Sequence, residues 1–320
     1  MTALSRTPAA THLRPDQVDL SVQLGPLRLH NPILTASGCF ASGQEIDRFF
    51  DVSALGAVVV KSLTLEPRLG LSTPRMAETP SGMLNAIGLQ NPGIDRWMEE
   101  DLPWLRQHGV PTIASIAGRS VAEYRVLGER LRGVEGIVAI EANISCPNVE
   151  DRDIVFSCRE ESTRDAIHAV TRVSTVPVFA KLTPDVTDIA AIAEAARAAG
   201  AAGVSVINTL LGMAIDVETM RPRLAAVTGG LSGPAIKPVA IRAVHQIHRA
   251  MPDLPIIGMG GARTVEDVVE FVLAGATAVA VGTTTFTNPP TTNKMVDDLP
   301  RWLAARGLPS LSRLRGAVRL

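Results

Sequence analysis

The chain has 320 residues, 46% of them hydrophobic and 20% charged, with a formal net charge of −1. That is ample apolar material for a large core, and so even a balance of charge leaves no basic field to draw nucleic acid or anionic lipid. Only 3% of residues are aromatic, too few for stacking platforms on single-stranded nucleic acid, and no apolar stretch approaches the roughly 18 residues of a membrane span.

Residues 1–17, with Arg6, His12 and Arg14 among Ser, Thr, Ala and Pro, lack the apolar core of a secretory signal and read as a loosely ordered tail. Residues 18–29 alternate apolar and polar around Gly25-Pro26 and predict a hairpin that plugs the bottom of a barrel. Eight apolar runs of strand length follow, at 32–36, 57–60, 112–116, 137–143, 176–181, 203–208, 254–259 and 276–282. Between most of them lie amphipathic segments, among them 120–131, 162–173, 188–199 and 265–274. Thr264 offers a hydroxyl cap, with acids behind it in the first turn. Gly200 and Gly275 stand where helices should stop. Eight such units predict a (β/α)8 TIM barrel in the α/β class, with a doubly wound sheet as the alternative. Residues 18–320 read as one domain. Segments 62–93 and 211–235, rich in Gly, Pro, Ser and Thr, interrupt the rhythm after the second and sixth strands, and a shorter loop follows the fourth. All three leave the C-terminal ends of strands, where barrel active sites are built.

The fourth run ends in Asn143, Ser145, Cys146 and Asn148, which bring amide, hydroxyl and thiol together within six residues. Amides can hold a small polar ring while a thiol takes a proton from it. The plain alternative is that Cys146 is one more buried small hydrophobe. The three cysteines, Cys39, Cys146 and Cys158, have no metal-ligand spacing, and a reducing, cytoplasmic setting without a bound metal is expected.

Four of the 31 basic residues are lysines: Lys61, Lys181, Lys237 and Lys294. A chain that otherwise uses arginine keeps a lysine where a compact ammonium is needed, or by chance. Lys61 and Lys181 end apolar runs and therefore reach a strand mouth. Gly258-Met-Gly-Gly-Ala262 after the seventh strand and Gly282-Thr-Thr after the eighth supply backbone N–H groups for a phosphate, with Gly230 and Gly233 on the long preceding loop able to close over it. Tight turns without a ligand are the alternative. Glycine loops, two lysines near the axis and no metal set point to a phosphorylated redox cofactor, and flavin mononucleotide fits. Glu141 faces inward if Asn143 does and reads as a buried structural acid.

In order along the chain stand Thr35-Ala-Ser-Gly38, Lys61-Ser, Asn85-Ala-Ile-Gly-Leu-Gln-Asn-Pro-Gly93, Asn143-Ile-Ser-Cys-Pro-Asn148, Lys181-Leu-Thr-Pro, Ile207-Asn-Thr209, Gly229-Gly-Leu-Ser-Gly233, Gly258-Met-Gly-Gly261 and Val281-Gly-Thr283. Over about residues 18–315 this ordered set resembles the class 1 dihydroorotate dehydrogenases, and within them subclass 1B. The resemblance implies an FMN-containing barrel that oxidises dihydroorotate to orotate in pyrimidine synthesis. It implies Cys146 as the base that removes the proton at substrate C5, while the C6 hydride goes to the flavin. It places Lys61, Asn85, Ile87, Gly88, Leu89, Asn143, Asn208 and Thr209 around the substrate. It places Ser37, Lys61, Ser62, Ser115, Asn143, Lys181, Ile207, Gly233, Gly260, Gly261, Gly282 and Thr283 around FMN. A homodimer is implied, paired with a separate subunit carrying FAD and a 2Fe-2S cluster that passes electrons to NAD+. Class 2 members carry serine at the position of Cys146 and a membrane-binding N-terminal segment. This chain has cysteine, and residues 1–17 do not read as such a segment.

Three features depart from the family pattern. Ser115 stands where an asparagine is usual. The loop after Pro147 runs Asp151-Arg-Asp-Ile-Val-Phe-Ser157 where glycines are usual, and should act as a lid. Cys158 lies near the position of the catalytic cysteine in the related dihydropyrimidine dehydrogenases. Reduction of uracil or thymine is therefore the rival activity, and a non-catalytic phosphate-binding barrel is a rival of another class.

Overall fold

The computed structural model describes residues 13–145 and 156–320. The eight apolar runs form one parallel sheet: β1 (Ile33–Thr35), β2 (Val58–Val59), β3 (Thr112–Ile116), β4 (Ile137–Asn143), β5 (Val178–Leu182), β6 (Gly203–Val206), β7 (Ile256–Met259) and β8 (Ala278–Val281). Each strand pairs with its sequence neighbours, and β8 returns to β1. The seam between β1 and β2 is a single bridge, Leu34 with Ala57. Thr35 extends it: beyond the backbone bonds from Gly56 N to Ile33 O and from Thr35 N to Ala57 O, its hydroxyl accepts from Val59 N at 2.8 Å and donates to Val59 O at 3.1 Å.

Strand alternation sorts the side chains into two cores. Val58, Ala114, Ile140, Ala180, Val204, Ile256 and Val279 point outward into the layer beneath the helices. Leu34, Val59, Ile113, Ala139, Phe179, Ile257 and Ala278 fill the barrel. The hairpin Val22–Leu24 and Leu27–Leu29 turns at Gly25-Pro26, with Gly25 at φ +62°. Its Val22, Leu24 and Leu29 join the interior cluster and close the barrel floor. Fully buried Leu24 alone contributes about 2 kcal/mol of apolar transfer. Of the expected tail, residues 13–17 are described and include a 3-10 turn, Pro15–Gln17.

Helices α1 (Ile94–Glu100) and α2 (Leu102–Gln107) follow β2, α3 (Val121–Arg130) follows β3, and α4 (Glu160–Thr171) follows β4. Next come α5 (Ile189–Ala198), α6 (Lys237–Ala250), α7 (Val265–Ala274), the single turn α8 (Thr284–Thr287) and α9 (Thr291–Ala304). Thr264 caps α7 in a reciprocal box with Asp267, and Gly275 ends that helix at φ +124°. Asp188 caps α5 through Ala190 N and Ala191 N. Between β1 and β2 the chain makes turns and one 3-10 turn, Val52–Ala54, rather than an α-helix. Among the described residues no helix is long and apolar enough to cross a membrane.

The two long insertions meet over the C-terminal mouth of the barrel. Met76–Thr79 pairs with Gly82–Asn85, that strand pairs with Gly229–Ser232, and Gly229–Ser232 pairs with Leu210–Gly212. Covering segments were expected after β2 and β6; their union into one antiparallel sheet was not. Most of the loop expected as a lid after β4 lies outside the described residues, and only its end, with the 3-10 turn Phe156–Cys158, is described.

Candidate active site

A cavity of about 540 Å³ opens at the C-terminal ends of the strands, beneath the antiparallel sheet. Its walls contain Ser37, Lys61, Ser62, Asn85, Ile87, Gly88, Leu89, Asn143, Lys181, Ile207, Asn208, Thr209, Gly233, Gly260, Gly261, Gly282 and Thr283. All are residues singled out in the sequence. Cys146 lies outside the described residues. Ser115 does not reach the cavity: it is fully buried one layer below, where its hydroxyl lies 2.9 Å from Ser62 Oγ.

Register explains that depth. Ser115 pairs with Glu141, and Asn143, two residues further along β4, pairs with Lys181. Glu141 and Ser115 therefore share a level beneath Asn143. Lys181, though 4% exposed, extends its ammonium upward to donate to Ser37 Oγ at 2.9 Å, with Glu141 Oε1 3.9 Å away. Lys61 lies two residues beyond β2, and a Cβ on Gly38 would stand 3.4 Å from its Nζ. Asn143 is gripped from both sides: Tyr124 donates its hydroxyl to Asn143 O at 2.8 Å, and Asn143 Nδ2 donates to Ser62 Oγ at 2.9 Å. Asn85 reaches the cavity from the covering sheet and donates to Gly230 O at 3.2 Å. Asn208 donates to Ser145 O at 3.1 Å and accepts from Thr209 N at 2.8 Å.

Several lining residues carried no signal of their own in the sequence. Cys39 borders the cavity; burial pushes its thiol up to about 11, against the pull of Lys181 and Lys61. Arg75, Met83 and Ser232 arrive through the covering sheet, and Phe286 through α8. Only the pairing of two distant insertions reveals the first three. Cys158 is exposed and is not among the lining residues. Lys237 and Lys294 prove to be surface ion-pair partners. Lys237 Nζ meets Asp267 and Glu270, each at 2.6 Å, and Lys294 Nζ meets Asp298 at 2.6 Å.

The comparisons with known proteins agree with this architecture. A crystal structure of DHODH in complex with ferulenol from Eimeria tenella superposes with a TM-score of 0.78 at 22% sequence identity, covering 93% of this chain and 88% of that one, which speaks for the fold. The catalytic subunit of dihydroorotate dehydrogenase B (NAD(+)) from Geobacillus kaustophilus is 52% identical over 297 residues, 93% of this chain and 95% of the relative. The corresponding subunit from Listeria monocytogenes serotype 4a is 52% identical over 296 residues, 92% of this chain and 97% of the relative. Residues 19–303 match the dihydroorotate dehydrogenase family, and with such relatives the chain belongs to that family and to its class 1B.

Proposed function

We propose that this chain oxidises dihydroorotate to orotate in pyrimidine synthesis, with FMN as its bound cofactor. The observation that carries this reading is the convergence of three asparagine carboxamides, two ammoniums and a glycine cradle on one cavity. The cradle fits a phosphorylated group. Gly233, Gly260 and Gly261 hold φ of +96°, +124° and +84°. A Cβ on Gly261 would come within 2.8 Å of Gly233 O, so the loops meet backbone to backbone. The cavity volume lies within the range of about 300–1,000 Å³ usual for cofactor sites.

Ser37, Ser62, Lys61, Asn143, Lys181, Ile207, Gly233, Gly260, Gly261, Gly282 and Thr283 would hold the cofactor, with Ser115 supporting Ser62 from below. When bound, FMN supplies the two-electron acceptor for the substrate hydride. Asn85, Asn143 and Asn208 offer donor and acceptor together, which suits a ring alternating N–H and C=O. Lys61 brings positive charge to the substrate carboxylate, while Ile87, Gly88, Leu89 and Thr209 complete the enclosure. Cys146 takes the proton from C5; a thiol of ordinary pKa about 8.5 is a better base near neutral pH than an alcohol. The chain would act with a separate electron-accepting subunit carrying FAD and a 2Fe-2S cluster, for which the relatives' designation as catalytic subunits is the support.

Anaerobic mixing with dihydroorotate is the direct test. The flavin band of the purified protein should bleach, and orotate but not uracil should perturb the resting spectrum. Cys146→Ser should abolish bleaching near neutral pH and Cys158→Ser should retain it. The reverse pattern, with a response to uracil, would move the chain to the dihydropyrimidine dehydrogenases.

A further inference from the structure

A string of hydrogen bonds runs from the cavity wall down to Glu141, an acid that the proposed reaction does not use. Asn208 Nδ2 donates to Ser145 Oγ at 3.0 Å, Ser145 Oγ donates to Asn143 Oδ1 at 3.1 Å, and Asn143 Nδ2 donates to Ser62 Oγ at 2.9 Å. The Ser62 and Ser115 hydroxyls lie 2.9 Å apart, and Ser115 Oγ donates to Glu141 Oε1 at 3.1 Å. Glu141 is 1% exposed, and its Oε2 has no hydrogen-bond partner among the described residues.

The string has a direction: backbone groups fix it at Asn208, and Glu141 sets it from Ser115 up to Asn143. A carboxylate facing an ammonium, here Lys181 at 3.9 Å, accepts and does not donate. The single proton of Ser115 is therefore committed to Glu141. Ser62 must then donate to Ser115, and its oxygen is left to accept from Asn143. Asn143 in turn must present its NH2 group to Ser62 and its oxygen to Ser145. Ser145 spends its proton on that oxygen and accepts from Asn208. Each hydroxyl has one proton, so every link dictates the next.

We propose that Glu141 is a positioning residue that fixes which atom of the Asn143 carboxamide faces the substrate; Asn208 is oriented independently, by Ser145 O and Thr209 N. This rests on the reading that Asn143 holds the pyrimidine ring. A flipped carboxamide exchanges donor for acceptor and sets like against like on a ring that alternates N–H and C=O. A half-satisfied buried carboxylate is costly to keep, and the direction it imposes is what it contributes in return. Asn85 stands outside the string, bonded to the covering sheet, and serves as an internal control.

The test uses the FMN-loaded protein labelled with 15N at asparagine, with the side-chain NH2 resonances read without substrate. Glu141→Gln places at the lower end a group that can donate as well as accept. The Asn143 resonances should shift or split while those of Asn85 stay. Ser115→Ala cuts the string one link higher, leaves the carboxylate in place, and should have the same effect. Orotate binding, followed by the flavin spectrum, should weaken about tenfold in either variant, as for a mispaired buried polar group. It should weaken no further in the double variant, and KM should rise more than kcat falls. Unmoved Asn143 resonances, or additive losses in the double variant, would overturn the proposal. If the unaltered protein ignored orotate, the assigned reaction would fall, while the resonances would still decide the role of Glu141.

Discussion

Cys39 shows how a residue can sit among reactive groups and stay inert. Two lysines pull its thiol toward ionisation, yet burial prevails and holds it at about 11, far above neutrality. It should therefore resist iodoacetamide at mildly alkaline pH, whereas Cys158, exposed but also raised, reacts faster. Peptide mapping after a timed pulse would check this, and faster labelling of Cys39 would contradict it. The lysines were legible in the sequence for a physical reason. Each ends an apolar run, and strand periodicity carries the final inward side chain to the mouth. The resemblance set Ser115 around FMN, yet it lies one layer below the cavity, with its hydroxyl 2.9 Å from Ser62 Oγ. Depth depends on how β3 registers against β4, which no local pattern encodes.

Legibility divides in the same way among the elements. Helix α7 could be read from Thr264 to Gly275 because both of its ends are made by local chemistry, a capping box and a left-handed glycine. Such a cap contributes about 1 kcal/mol. The covering sheet could not be read, because Asn85 pairs with Gly230 across much of the chain and neither strand is long or apolar. The loops after β6 and β7 make a sharper prediction. At Gly261 the backbone is left-handed and a Cβ would press on Gly233 O. Gly261→Ala should weaken FMN retention roughly tenfold, from about 1–3 kcal/mol of strain, while the far-UV spectrum is unchanged. Flavin content after exhaustive dialysis measures it, and full retention would show that the cradle lies elsewhere.

At the scale of the molecule, the first and last described segments are tied to the barrel floor. The N-terminal hairpin fills it, and the C-terminal segment packs on α7 with Arg315 donating to Gly275 O and Leu254 O at 3.0 and 2.8 Å. His248 of α6 lies against this segment, and a Cβ on Gly275 or Gly316 would overlap its ring. Burial, then Arg315 and His245, hold its pKa below 6.5, and its Nδ1 has no hydrogen-bond partner among the described residues. The unfolded chain thus binds a proton more readily than the folded one. The resulting contribution to stability is fully present above pH 6.5 and is lost as pH falls through the folded value. The melting temperature should drop on acidification across that window, and His248→Gln should flatten the slope. An unchanged slope would assign the effect to other groups.

The covering sheet also limits how the chain can vary. Its two insertions are held in register strand against strand: a single residue added within Gly82–Asn85 would turn Asn85 from the cavity toward solvent, and one added within Gly229–Ser232 would shift the pairing opposite it. The lengths of two segments far apart in the gene are thereby yoked. Over descent they can drift only in compensating steps, as one inherited unit.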